Sequence, residues 1–296
     1  MREAQMYGQI NGIPLIAIAD VSCTMLLTLY GRVLESRSED PLLNDPKAEE
    51  IVSRINESLL HSEQKLFRRL GQFKMRKELA VHTALRAKQY DFYVLEFMKE
   101  YPGCTIVNLG CGLDTRYWRI DNGTVHFFDL DLPEVIELKR NLVQETDRYK
   151  MLGCSVFDYE WMDTILADEK PIIFLAEGLF MYLPKQDVKA LLSVLGQRVK
   201  TGQFVAEMVN EKYTRGINQW LLAFKFKYQL GFGEPMTYHC GIKDSDEVEA
   251  WSPKLHLIDD WCYFDADTEK LGWMRIFRHF KTFRKTQWTV RYRIGE

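Results

Sequence analysis

The chain has 296 residues, of which 46% are hydrophobic and 27% are charged, and its formal net charge is −3. This composition is typical of a folded globular protein and excludes a disordered or collagen-like chain. The slightly negative charge argues against general nucleic-acid binding, because proteins of that class carry an excess of Lys and Arg. The length predicts a single large domain, with room for an insertion beside its core.

The six cysteines lack the Cys-x-x-Cys and Cys/His spacings of a zinc site. A disulfide framework is not expected at this length, so we predict reduced thiols and a cytoplasmic location. The apolar stretch at 13–19 contains Pro14 and ends at Asp20, which makes it too short to span a membrane. We therefore expect no bound metal and no membrane partner.

The N-terminal part, residues 1–102, predicts helices only. Residues 20–36 and 75–101 carry apolar residues at helical spacing. Asp45 followed by Pro46 indicates the start of another helix between them. These helices precede every predicted strand, so they form a helical segment ahead of a sheet.

The segment 103–209 alternates apolar runs of strand length with helical patterns. Strands are predicted at 105–109, 125–129, 172–176 and 203–208, with a weaker one at 149–155, and helices at 133–146 and 185–198. This alternation predicts an α/β fold whose parallel sheet is covered on both faces. Residues 287–294 alternate apolar and polar residues instead, which is typical of a half-buried antiparallel strand.

The alternation of strands and helices stops after Met208. Residues 210–252 are rich in aromatic side chains, and two interpretations stay open: a lid over a pocket, or a segment that packs on the sheet. The aromatic residues are Trp220, Phe224, Phe226, Tyr228, Phe232 and Tyr238. Residues 253–296 complete the predicted domain with strands and a helix.

A glycine-rich turn, Gly110–Cys111–Gly112, follows the first predicted strand. Ligands of open parallel sheets bind beyond the carboxyl ends of the strands, so this turn is a candidate binding loop. A dinucleotide site would have a third glycine where Thr115 stands, and the carboxylate of Asp114 would repel a diphosphate. S-adenosylmethionine carries no phosphate, so the loop favours this cofactor.

Acidic residues follow two other strands. Asp129 and Asp131 end the second strand, where a carboxylate can accept both hydroxyls of a ribose, and both remain candidates on this pattern. Glu177 follows the fourth strand and is expected to face the same cleft. The alternative role for Glu177 is that of an acid at a helix start, before Pro184.

Together these segments resemble the leucine carboxyl methyltransferase family, in the bacterial branch named for the tetracenomycin polyketide O-methyltransferase. The stretches that carry the resemblance are 109–116, reading LGCGLDTR, 176–184, reading AEGLFMYLP, 83–91 and 129–136. The resemblance implies a Rossmann-like class I methyltransferase. Its sheet would have seven strands, mostly parallel, with an antiparallel last strand.

The resemblance also implies site residues for S-adenosylmethionine. Arg86 would bind the cofactor carboxylate, and Glu177 would lie near its methionine part. The family pattern favours Asp131, with Leu132, over Asp129 at the ribose. The remaining implied contacts are the loop residues Gly110, Cys111 and Gly112 and, near the adenine, Ser155 and Val156.

Two segments depart from the family pattern. At residues 154–158 the usual acid–Leu pair is missing, and Asp158 is a candidate replacement for its acid. After the fifth strand, the stretch Ala206–Glu207–Met208–Val209 replaces a more usual acid–small pair.

The predicted activity is methylation of a hydroxyl or carboxyl oxygen on a small, aromatic or polyketide-like acceptor. A hydroxyl acceptor benefits from a base, and His239 is the candidate, with Tyr182 as a hydrogen-bonding partner. An exposed or structural role for His239 is the alternative, and His82, His126 and His256 are other candidates. Competing functions are a protein-carboxyl methyltransferase, a non-catalytic S-adenosylmethionine-binding protein and a nicotinamide-dependent oxidoreductase.

Overall fold

A seven-stranded sheet forms the centre of the structure, a computed structural model that describes residues 9–10, 13–14, 19–225 and 237–295. The strands are β1 (Thr105–Leu109), β2 (His126–Asp131), β3 (Tyr149–Gly153), β4 (Ile172–Ala176), β5 (Thr201–Val209), β6 (Leu255–Trp261) and β7 (Gln287–Gly295). Their spatial order is β3-β2-β1-β4-β5-β7-β6. Strands β1 to β5 pair in parallel, and β7 is antiparallel to both of its neighbours. The predicted α/β class and sheet are confirmed.

Burial explains why the strands have these sequences. Every residue of β1 and β4 is buried, as continuous apolar runs require when helices cover both faces of a sheet. Strand β7 shows the predicted alternation in its second half, where Tyr292 is buried on one side and Arg293 on the other side is exposed. In its first half Thr289, on the predicted polar side, is buried like Trp288.

The helices surround this sheet. The N-terminal ones are α1 (Ala19–Ser36), α2 (Pro46–Leu60), α3 (Lys65–Gly71) and α4 (Lys77–Glu100). Those between the strands and after them are α5 (Arg116–Ile120), α6 (Pro133–Arg140), α7 (Trp161–Leu166), α8 (Lys185–Arg198), α9 (Gly216–Lys225) and α10 (Lys281–Arg284). Short 3₁₀ segments and a two-residue ladder of Gln9–Ile10 with Ile13–Pro14 complete the described elements.

The N-terminal helices share a core with the sheet. Leu26 of α1, Ile51 of α2 and Tyr93 of α4 belong to the same buried cluster as Ile106 and Phe127 of β1 and β2. Burying this apolar surface is the main force that holds the helices there. The helical segment is therefore docked on one face of the sheet, close to the ends of the strands.

Two of the predicted boundaries that differ from the structure have an identifiable cause. Helix α6 stops at Arg140 instead of residue 146, because the Asn141 side chain donates to Glu137 O and Arg54 of α2 donates to the carbonyls of Asn141 and Leu142. Strand β2 extends to Asp131 instead of residue 129, because pairing with β3 continues to that residue.

Candidate functional site

A cavity of about 450 Å³ lies at the carboxyl ends of β1, β2 and β4, the edge where open parallel sheets bind ligands. All the residues predicted to contact the cofactor line it: Arg86, Gly110, Cys111, Gly112, Asp131, Leu132, Ser155, Val156 and Glu177. Tyr182 and His239, the two residues predicted for catalysis, line it as well. The fold thus brings together side chains that are up to 153 positions apart in the chain, from residue 86 to residue 239.

The glycine loop forms the floor of the cavity. Gly110 and Gly112 have φ angles of 65° and 46°, in the left-handed region that favours glycine. A Cβ atom on Gly110 would lie 2.8 Å from a methyl carbon of Leu179, and one on Gly112 would lie 3.1 Å from Cβ of Met25. Side chains at these positions would fill the space beside the bare backbone, which a ligand can approach closely.

Asp131 is the acid that faces the cavity from β2. Its two carboxylate oxygens accept hydrogen bonds from the backbone nitrogens of Gly112 and Leu132, each at 2.8 Å. Burial raises its pKa, although the two backbone donors oppose this effect. Asp129 does not line the cavity, and its carboxylate is held by Lys139 and by the hydroxyl of Tyr149. Of the two candidates, the geometry therefore favours Asp131 for a ligand in the cavity.

Arg86 lies on α4 and is buried between two glutamates, not on the surface of the long helix. Its Nε donates to Glu177 at 2.8 Å, and its Nη1 donates to Glu207, also at 2.8 Å. Gly178 has a φ angle of 68°, and a Cβ atom there would lie 3.6 Å from Nη1 of Arg86. The guanidinium therefore sits directly behind a glycine of the cavity wall.

Arg116 is a residue of the site that sequence reasoning missed. Its side chain is fully buried and forms ion pairs with Asp91 at 2.7 Å, Asp114 at 2.5 Å and Glu177 at 2.6 Å. Burial opposes the charged form of Glu177, but the guanidiniums of Arg86 and Arg116 hold its pKa below the ordinary range. Arg116 closes the resembling stretch 109–116, and that position was its only signal in the sequence.

Another missed contribution comes from α1. Thr24, Met25, Thr28 and Arg32 line the cavity, so this helix forms part of its wall. Arg32 donates to the carbonyl of Leu113, next to the glycine loop, at 2.9 Å. It is also paired with the buried Asp45 at 3.0 Å.

The lining of the cavity also includes Tyr182 and His239. Burial first, and then the nearby Glu207, raise the pKa of Tyr182 to about 12, so its phenol stays neutral near pH 7. The backbone nitrogen of His239 donates to the carbonyl of Met181 at 2.7 Å, and its ring Nε2 lies 3.1 Å from Oγ1 of Thr237. The imidazole is exposed and can exchange protons with solvent.

Several other sequence predictions have different outcomes. The replacement role of Asp158 is wrong, because its exposed carboxylate accepts from the backbone nitrogen of Ser155 instead of lining the cavity. The ring of His82 packs against that of Tyr263. None of His82, His126 and His256 lines the cavity.

The predicted lid is described in part. Thr237 and His239 line the cavity, whereas the side chains of Trp220 and Phe224 on α9 are exposed. Tyr238 is buried behind the wall, with its ring 5.6 Å from that of Tyr182. Phe226, Tyr228 and Phe232 lie outside the described residues.

Within the described ranges, no group of His, Cys, Asp and Glu side chains could hold a metal ion. No helix in those ranges is both long enough and apolar enough to cross a membrane. All six cysteines are free thiols.

Comparison with known proteins identifies the family. The profile of the leucine carboxyl methyltransferases matches residues 25–196. The chain is 31% identical over 252 residues to the tetracenomycin polyketide synthesis O-methyltransferase TcmP of Streptomyces glaucescens, covering 85% of this chain and 86% of that protein. It is 27% identical over 250 residues to an S-adenosyl-L-methionine-dependent methyltransferase, dpfgK, of Gibberella zeae, covering 78% of each chain.

Among solved structures, the N-methyltransferase NodS of Bradyrhizobium japonicum in complex with S-adenosyl-L-homocysteine is similar, with a TM-score of 0.44 and 9% identity. The match covers 91% of this chain and 99% of that chain. The cavity residues fit S-adenosylmethionine chemically, since carboxylates, a guanidinium and a bare glycine loop surround one space. The chain belongs to the leucine carboxyl methyltransferase family and is an S-adenosylmethionine-dependent methyltransferase.

Proposed function

We propose that the protein methylates an oxygen atom, of a hydroxyl or a carboxyl group, on a small aromatic or polyketide-like acceptor. The observation that carries this proposal is a single cavity with two chemically different walls. The lining combines two sets of residues: the buried charges around Arg86, which we call the charged wall, and the polar side chains of Thr24, Tyr182 and His239, which we call the acceptor wall. The first wall suits a charged cofactor and the second a small acceptor. The relative TcmP, named as a polyketide O-methyltransferase, supports this class of acceptor.

The charged wall is proposed to hold the cofactor. S-adenosylmethionine, when bound, supplies a methyl group already activated by its sulfonium. Arg86 would donate to the cofactor carboxylate, Glu177 would face its ammonium, and Asp131 would accept the ribose hydroxyls. Ser155 and Val156 would lie against the adenine. Since the methyl group arrives activated, these residues act by orienting it and by excluding water.

The chemical class of the acceptor determines whether a proton must be removed during transfer. A carboxylate acceptor reacts without a base, whereas a hydroxyl acceptor benefits from one near its oxygen. His239 is proposed as this base, because its imidazole lines the cavity and also reaches solvent. Tyr182, whose phenol is neutral near pH 7, would donate a hydrogen bond to the acceptor.

Methylation of a peptide carboxylate is a second candidate. It is favoured by the match of residues 25–196 to the leucine carboxyl methyltransferase profile. A cavity of about 450 Å³ is within the range that proteins use for small ligands, which favours the first candidate.

The test is a methyl-transfer assay with S-adenosylmethionine carrying a labelled methyl group. The acceptors are planar phenols, the matched aromatic carboxylic acids and a peptide that ends in a free leucine carboxylate. We expect label in a small aromatic acceptor, and alkali distinguishes labile methyl esters from stable ethers. Label in the peptide alone would replace the proposal with the second candidate. Cofactor binding without transfer to any acceptor would point to a non-catalytic protein.

A further inference from the structure

The charged wall carries more carboxylates than cations. Ion pairs link four arginines to five acids in one network behind the cavity, as counted over the described residues. The arginines are Arg32, Arg86, Arg116 and Arg119, and the acids are Asp45, Asp91, Asp114, Glu177 and Glu207. The network therefore has an excess of one negative charge.

Neighbouring charges do not remove this excess. Lys139 and Asp129, next to the network, form a balanced pair at 2.8 Å. Asp131 adds a further carboxylate, held only by two backbone N–H groups. Uncompensated buried charge is costly, so a ligand that brings a positive charge into the cavity relieves the wall.

Glu207 is the acid of the network that has the weakest compensation. It is 2% exposed and shares the guanidinium of Arg86 with Glu177. Its other oxygen accepts from a neutral group, the side-chain amide of Gln287, at 2.6 Å. Other acids of the network, such as Asp45 and Asp91, each pair with two arginines.

Glu207 is also close to the cavity. A Cβ atom on Gly178, a residue of the cavity wall, would lie 3.5 Å from Oε2 of Glu207. Because Gly178 has no side chain, little protein separates this carboxylate from a ligand. The raised pKa of Tyr182, to which Glu207 contributes after burial, is consistent with a field that reaches the cavity.

We propose that Glu207 makes the site select the charged cofactor over its demethylated product. S-adenosylmethionine carries a sulfonium, an ammonium and a carboxylate, with a net charge of plus one. S-adenosylhomocysteine has lost the sulfonium charge and is neutral overall. The excess carboxylate therefore attracts the cofactor more strongly than the product, which favours product release after each transfer. This inference rests on the proposed placement of the cofactor against Arg86 and Glu177.

The magnitude follows from the distance and the medium. Two unit charges about 12 Å apart, at an effective dielectric of about 20, change binding by roughly tenfold. We therefore expect S-adenosylmethionine to bind roughly tenfold more tightly than S-adenosylhomocysteine at low salt.

The test is calorimetric titration of the wild-type protein, without acceptor, with three ligands. S-adenosylmethionine and S-adenosylhomocysteine give the affinity ratio. Sinefungin, which has an amine in place of the sulfonium, keeps the positive charge and should bind like S-adenosylmethionine. Equal or tighter binding of the neutral product would overturn the inference.

Two variants test the role of Glu207. Glu207→Gln keeps the size of the side chain and removes its charge, so the affinity ratio should fall towards one. Gln287→Lys places an ammonium beside Glu207 and should also reduce the ratio, which covers the case in which the first variant does not fold. The matched control is Asp259→Asn on β6. It removes the charge of a carboxylate that accepts a hydrogen bond from the hydroxyl of Tyr93. It should leave the ratio unchanged.

The outcomes separate this inference from the proposed function. A ratio that both variants leave at the wild-type value, in folded proteins, would contradict the role of Glu207 while leaving methyl transfer intact. Failure of all three ligands to bind the wild-type protein would instead refute the cofactor site on which the proposed function depends.

Discussion

The two walls of the cavity differ in how firmly their side chains are held. On the charged wall, Arg116 is fully buried and forms three ion pairs, and Arg86 is held between two glutamates. On the acceptor wall, His239 has an exposed ring whose one described partner is Thr237. The two sets of residues lie in one space, but the ion-pair network holds only the first.

This difference suits the two ligands of a methyltransferase. The cofactor is the same in every turnover, so a rigid and already charged wall lowers the cost of orienting it. Because the acceptor wall lies outside the ion-pair network, its residues can be substituted without disturbing that network. We therefore expect substitutions on the charged wall to affect folding and cofactor binding, and those on the acceptor wall to affect turnover.

The largest expected effect is loss of stability when Arg116 is replaced by Met. Removing the guanidinium leaves Asp91, Asp114 and Glu177 without one of their shared cations in a buried place. We expect the free energy of unfolding to fall by about 3–5 kcal/mol, as measured by urea denaturation. The control is Arg275→Met, since among the described residues Arg275 pairs with the exposed Asp267 alone, and its loss should cost less than about 1 kcal/mol. Equal losses in the two variants would contradict the network's importance.

A smaller effect is expected for His239→Gln, and it should appear in turnover. If the acceptor is a hydroxyl, loss of the base should lower kcat about a hundredfold while cofactor affinity stays nearly constant. An unchanged kcat with a hydroxyl acceptor would show that His239 is not the base.

Asp131→Ala should reduce cofactor affinity without stopping the protein from folding. Loss of hydrogen bonds to a charged acceptor costs about 1.5–3 kcal/mol, or about ten- to a hundredfold in Kd. In the wild type, the raised pKa means that Asp131 gains its proton at a higher pH than an ordinary carboxyl group. Cofactor affinity should therefore decline as the pH falls through that raised value. Calorimetry measures both effects, and an unchanged Kd would return attention to Asp129.

The smallest effect is expected at the exposed side chains of α9. Trp220→Ala should leave cofactor affinity within about twofold, because the Trp220 ring is exposed and lies away from the charged wall. Under the proposed lid role of 210–252, the variant should change the KM for the acceptor. If acceptor kinetics stay as in the wild type, Trp220 has no part in the acceptor site.

Local patterns in the sequence predicted the sheet and the glycine loop. The apolar runs of β1 and β4 and the positive φ angles of Gly110 and Gly112 depend on residues close in the chain. Most ion-pair partners in the network are far apart instead: Arg86 and Glu207, for example, are separated by 121 positions. Which acid meets which arginine depends on how α4 docks on the sheet, so the network could not be read from local patterns.

The choice between Asp129 and Asp131 shows a second limit. The two residues are two positions apart on β2, so their side chains point to the same face of the sheet. Asp131 is the last residue of the strand and lies beside the glycine loop, whereas Asp129 lies deeper, against Lys139 of α6. Period-two alternation predicts the face, but the depth depends on where β2 ends and on how α6 packs.

We propose that one cavity positions the cofactor on its charged wall and an acceptor on its acceptor wall. A crystal structure of the protein with S-adenosylmethionine tests this most directly. We expect Asp131 to contact the ribose hydroxyls, Arg86 to contact the carboxylate, and the methyl group to point towards Tyr182 and His239. A complex in which Arg86 is turned away from the carboxylate, or in which the methyl group faces away from these two residues, would contradict it.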